Sequence, residues 1–180
     1  IDPAVQLEKL RAEELMDAAF YGSIEVVKEF LASPQVDMFI DYPTGEAQMT
    51  ALIAAAEAGR ADVVTALLDA HADTNVADGR GRTALMAAAG AGETDVVSLL
   101  LKRGANPALK ACNGWSCLQF ACSSNKDYGH CEMVQQLIDA REACGVMAAF
   151  SHLELQSALG IAQSKKFDAL CQLLEGMLEA

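Results

Sequence analysis

The chain has 180 residues, 52% hydrophobic and only 6% aromatic, which describes one continuous core of Ala, Leu and Val on closely packed short helices. Its formal net charge is −12, and because phosphate binding needs a basic face, nucleic acid is excluded as a partner. No apolar run approaches the roughly 18 to 20 residues that span a bilayer, and no charged leader precedes an apolar segment, so neither a membrane span nor a secretory signal is expected.

In chain order, Leu15, Ala18, Ala19 and Gly22 predict a first short helix and its end, followed by a second with Val26, Val27 and Leu31 on its buried face. The pattern returns at Leu52, Ala55, Ala56 and Gly59, then Val63, Val64, Leu67 and Leu68. It returns again at Leu85, Ala88, Ala89 and Gly92, then Val96, Val97, Leu100 and Leu101. Thr50, Thr83 and Ser116 are spaced by 33 residues twice over, and the segments from Thr50 and Thr83 agree at 14 of 26 positions without a gap. A fixed period of this length marks one supersecondary unit stacked on copies of itself. Between units stand Asp78-Gly79-Arg80-Gly81 and Cys112-Asn113-Gly114, residues suited to the positive φ of tight turns. The unit is helix, turn, helix, hairpin.

From Gly22 to Gly59 the interval is 37 residues, so about four extra residues precede the second unit, and they are expected mostly in 41–49. Downstream, Leu118, Ala121, Cys122, Gly129, His130, Met133, Val134, Leu137 and Ile138 keep the pattern if 125–128 loops out. A last helical pair, from about Ser151 to Leu178, carries Ala158, Leu159 and Ala162 but no turn glycine. Five units follow, at about 3–40, 41–78, 79–111, 112–145 and 146–180, the last a degenerate C-terminal cap.

These residues, in this order, resemble the ankyrin repeat, whose signature is Thr-Pro-Leu-His followed one residue later by paired alanines. The resemblance implies an all-α repeat, an ankyrin-like solenoid with hairpin fingers. Ala51 and Ala84 stand in place of the proline, and Ile53 and Met86 in place of the histidine. Apolar packing is therefore expected where the family places a polar tie.

Chemistry is not expected. There is no Gly-x-x-x-x-Gly-Lys loop, Gly-x-Ser-x-Gly elbow or His-Glu-x-x-His helix, and Gly79-Arg80-Gly81 is a turn, not a dinucleotide site. His71, His130 and His152 fall in different units. Cys112, Cys117, Cys122 and Cys131 lie with His130 inside one repeat at spacing loosely fit for zinc. The repeat separates them, however, into a tip, a buried alanine position and the start of the other helix, so neither metal nor cofactor is expected. Six cysteines without an export signal imply free thiols in a reducing compartment, cytoplasmic or nuclear.

A binding surface remains. The resemblance places it on a concave strip formed by the finger tips, 41–49, 79–82 and 112–115, and by the exposed face of each first helix: Ala51, Ala54 and Glu57, then Ala84, Ala87 and Ala91, then Cys117, Phe120 and Ser124. The expected partner-binding residues are Tyr42, Met49, Glu57, Arg80, Arg82, Trp115 and Phe120, since Trp and Arg are enriched among binding hot spots. Six of the seven have a plainer reading too: Trp115 as a cover for apolar surface, Arg80 and Arg82 as solvated turn residues, Phe120 as core, Tyr42 and Met49 as a local clasp. Residues 1–75 have net charge −10, 76–115 +2 and 116–180 −4. That imbalance suits a basic segment of a partner protein, and it equally keeps an Ala-rich surface soluble. Asn75, in Asp73-Thr74-Asn75-Val76, is similar to ankyrin asparagines accepted by asparaginyl hydroxylases, although in the family this residue also braces the hairpin. The function expected is a monomeric, non-catalytic protein-interaction module. The alternative is a regulatory domain of a larger enzyme or signalling protein, acting intramolecularly.

Overall fold

A computed structural model describes residues 3–124, 130–143 and 150–179. Its ten α-helices form five successive pairs: α1 (Pro3–Tyr21) and α2 (Ile24–Leu31), α3 (Ala51–Glu57) and α4 (Ala61–Asp69), α5 (Ala84–Ala91) and α6 (Thr94–Lys102), α7 (Cys117–Ser123) and α8 (His130–Ala143), α9 (His152–Ser164) and α10 (Asp168–Glu179). The first helices α1, α3, α5, α7 and α9 pack side by side in one row, and α2, α4, α6 and α8 in a second row behind it. There are no extended strands among the described residues. Each finger closes on a single antiparallel bridge, Thr44 with Met49, Ala77 with Thr83 and Lys110 with Ser116.

The repeated Thr, Thr and Ser are helix starts. Thr50 and Thr83 accept the backbone N–H of Ile53 and Met86 on their hydroxyl oxygens at 3.3 and 3.5 Å, satisfying one of the four N–H groups each helix start leaves without an intrahelical partner. Ser116 adds a reciprocal bond, its N–H donating to Gln119 Oε1 at 2.7 Å. Ile53 and Met86, each 1% exposed, fill the apolar layer where the family's histidine would stand. The turn between the helices of a pair needs a left-handed residue, supplied by Gly22, Gly59 and Gly92; the final pair, lacking a glycine, uses Lys166 at φ 62°.

Two expectations are corrected. The four extra residues do not lengthen the first finger: Thr44, Ala77 and Lys110 open their bridges at a constant 33-residue interval. The insertion therefore precedes Thr44, where a 3-10 turn (Val36–Met38) leads Phe39 and Ile40 into the core. Apolar side chains hold it there. Nor do the small residues of the first helices open a concave surface. Ala51, Ala54, Ala84, Ala87 and Cys117 are all buried, as is Ser124, because each helix is flanked by its neighbours in the row and an Ala side chain is too short to rise above them. The loop expected at 125–128 and the side chain of His130 lie outside the described residues.

Candidate functional site

The fingers are braced against each other. Gly79 N donates to Ala47 O and Cys112 N to Arg80 O, both at 2.9 Å, tying finger two to fingers one and three. At their bases, Asp73 N donates to the Asp41 carboxylate at 3.1 and 3.2 Å, and Asn106 N to Asn75 Oδ1 at 2.9 Å. Burial raises the pKa of Asp41, partly offset by the Asp73 N–H it accepts, while the Asp73 charge nearby raises it further.

Between fingers two and three lies a groove of about 460 Å³, lined by Gly79, Arg80, Arg82, Ala111, Cys112, Asn113 and Phe120. Its two arginines differ. Arg82 is held from below, its Nε donating to Asp78 Oδ2 at 2.9 Å and its Nη1 to Glu57 Oε1 at 3.5 Å. Asp78 is buried and also receives the N–H groups of Arg80 and Arg82 at 2.9 and 2.8 Å, so this carboxylate fixes the tip. The Arg80 residue, by contrast, is exposed at the mouth. Phe120 is half-buried and meets Trp115 edge to face, ring centroids 5.4 Å apart. Such a pair is worth about 0.5 to 1.5 kcal/mol beyond its buried area.

Of the expected contact residues, Arg80, Arg82 and Phe120 thus share one groove, with Glu57 joined through Arg82 and Trp115 through Phe120. Tyr42 and Met49 lie on finger one, partly buried against the core, and do not line it. Cys112 and Asn113 also line the groove; the expected tip 112–115 included both without singling either out as an anchor, although their place in the Asn-Gly turn facing Arg80 one period earlier was the available signal.

Nothing in the groove forms a catalytic set. Among the described residues no three His, Cys, Asp or Glu side chains converge as a metal site. Burial pushes the thiols of Cys117 and Cys122 up to about 12, so both stay neutral and unreactive at ordinary pH. Cys112 is exposed and, like Cys117, Cys122, Cys131 and Cys171, unpaired by disulfide. No helix among the described residues is long and apolar enough to cross a membrane.

Stacked helix pairs with braced fingers define a helical repeat solenoid. The family profile for ankyrin repeats (3 copies) matches residues 15–111 and 62–148, and the chain belongs to that family. Ankyrin repeats are in general protein–protein interaction modules and typically non-catalytic. A comparison with curated proteins returns no match.

Proposed function

We propose that this chain is a non-catalytic, monomeric protein-interaction module acting as one repeat domain, and that it holds an exposed segment of another protein along its fingers. One observation carries the reading: the groove between fingers two and three places an exposed guanidinium, Arg80, beside an aromatic floor, Phe120 backed by Trp115. An anchor that combines charge with aromatic surface is the usual make-up of a binding hot spot. The braced fingers are ordered before a partner arrives, so little entropy is lost on this side of the interface. Five thiols free of disulfides support a cytoplasmic or nuclear setting.

The test is affinity capture with the native chain and with Arg80→Ala/Trp115→Ala, both verified by circular dichroism. Arg82 is left intact because its loss would strand buried Asp78. Partners held by the native chain are expected to fall at least roughly tenfold in the variant, equivalent to about 1.4 kcal/mol. Equal recovery from both proteins would reject the groove as the site. We further propose Asn75 as a hydroxylation site: it is exposed, and its carboxamide already bridges two units through Asn106 N. Incubation with an asparaginyl hydroxylase should add one oxygen to the intact mass, and Asn75→Ala should abolish the gain. A gain that survives Asn75→Ala would move the site elsewhere.

A further inference from the structure

The five units are not equally dressed for solvent. Seven large hydrophobic residues are exposed among the described residues, and six of them, Leu7, Leu10, Phe20, Tyr21, Val26 and Met38, fall in the first 38 positions. The reason begins with α1. Leu15 is the counterpart of Leu52, 37 residues later, so Glu13 stands where Thr50 starts α3. Yet α1 starts at Pro3. Its first ten residues, about 15 Å of helix at 1.5 Å per residue, precede Glu13 in the chain where the next three units carry a finger.

One stripe of this long helix is Leu7, Leu10, Glu14, Asp17 and Tyr21, at spacings of three and four residues that keep them on one face. All five are exposed, the three apolar ones by 52%, 51% and 72%. The opposite face, Ala12, Leu15 and Ala19, is buried. The helix's own cations are turned elsewhere. Lys9 lies 3.9 Å from Glu13, and Arg11 Nη1 donates to Gln35 Oε1 at 3.0 Å. No ion pair to Glu14 or Asp17 forms among the described residues.

We infer that the exposed stripe of α1 is a docking surface for a basic amphipathic segment of a partner protein, one whose apolar residues at helical spacing meet Leu7, Leu10 and Tyr21 while its Lys or Arg side chains meet Glu14 and Asp17. The inference rests on the reading of the chain as a protein-binding stack, and adds a second contact region with its own chemistry. Charge selects the occupant. A second copy in a symmetric contact would bring Glu14 and Asp17 against the same acids, within the first 75 residues, which carry −10. A surface of anionic lipid would be repelled likewise. Only a cationic partner gains from both halves of the stripe, apolar contact for affinity and opposite charge for register and on-rate.

The experiment measures binding of a fluorescent synthetic helix of about 18 residues, Leu on one face and Lys on the other, by anisotropy at about 0.15 M salt. Leu7→Ser/Leu10→Ser/Tyr21→Ser, which keeps every charge, and Glu14→Lys/Asp17→Lys are each expected to weaken binding at least roughly tenfold. Glu175→Lys/Glu179→Lys, a reversal of equal size on exposed positions of α10, is expected to leave it within about twofold, since distant surface charges are screened. Undiminished binding by the serine variant, or equal loss from the α10 reversal, would overturn the inference in favour of bulk attraction. Sedimentation showing a native dimer that the serine variant abolishes would overturn it in favour of a second copy. The Arg80→Ala/Trp115→Ala comparison does not touch α1, so failure here and failure of the groove are separately visible.

Discussion

Gly81→Ala is expected to cost about 3 kcal/mol, lowering the melting temperature by roughly 6 to 12 °C for a chain of this length. Gly114→Ala, its counterpart 33 residues later, should cost about 1 kcal/mol. Both glycines are left-handed, at φ 75° and 80°, so the strain of a Cβ in that region is common to the two. What separates them is the next finger. A Cβ on Gly81 would lie 2.7 Å from Cys112 N, 2.9 Å from Cys112 Sγ and 3.2 Å from Ala111 C, whereas one on Gly114 meets nothing within 4 Å.

The contacted atom cannot simply withdraw. Cys112 N donates to Arg80 O at 2.9 Å, and retreat would break the bond that docks finger two on finger three, worth about 1 kcal/mol and more where desolvated. The first finger shows that left-handed strain alone is tolerable: the corresponding position there is Gln48, at φ 52°, with its side-chain amide donating to Gly45 O at 3.0 Å. Thermal melts followed by circular dichroism decide the matter. Equal shifts for Gly81→Ala and Gly114→Ala would mean that strain, and not the close approach of the fingers, governs this position.

That comparison also shows how the sequence could and could not be read. A 33-residue period and a turn glycine are set by the backbone requirements of one unit, and they placed the helices and the left-handed positions directly, while the capping role of Thr50 and Thr83 emerged only with the structure. Relations between units were opaque. The interval from Gly22 to Gly59 revealed four extra residues but not their side of the finger, because burial of Phe39 and Ile40 depends on what α2 leaves uncovered. Ala54 and Ala87 sit on the helix face that periodicity calls exposed, yet spacing between helices, not periodicity, decides whether a methyl group reaches solvent. At the candidate site, Arg80 and Phe120 were visible as tip and inner-face residues. The division of labour between Arg80 and Arg82 was not, since it depends on Glu57, 25 residues away from Arg82 in the chain. The cation-poor stripe on α1 was hidden for the same reason: Arg11 had to be seen reaching Gln35.

Glu154→Ala should be the most damaging substitution in the C-terminal half, at about 3 to 4 kcal/mol, because it removes one partner of a buried ion pair. Glu154 is 4% exposed and Arg141 8%. Glu154 Oε1 lies 3.5 Å from Arg141 Nη1 and 3.3 Å from Lys110 Nζ, so one carboxylate joins finger three, α8 and α9. Its other oxygen closes the capping box at the start of α9, accepting Ser151 N and Ser151 Oγ at 2.9 Å each. Arg141 is further committed to the Phe150 ring, its Cζ 4.3 Å from the centroid. Burial alone would raise the Glu154 pKa. The Ser151 N–H and hydroxyl, with Arg141 and Lys110 behind them, outweigh it and hold the carboxyl below its ordinary 4.5. A depressed pKa fixes the sign: the contribution is complete well above pH 4.5, where the unfolded carboxyl is fully ionised, and is lost as pH falls below 4.5 through the lower folded value. Glu154→Gln keeps the shape but not the charge. Its melting temperature should therefore trail the native protein at pH 7, and the gap should narrow as pH falls below 4.5, other titrating groups being common to both. Because neighbouring repeats are coupled only through their interfaces, the loss should appear first as hydrogen exchange in α9 and α10. A native-minus-Gln difference that persists undiminished at pH 3 would show that the carboxylate's charge is not what holds the last helix pair to the stack.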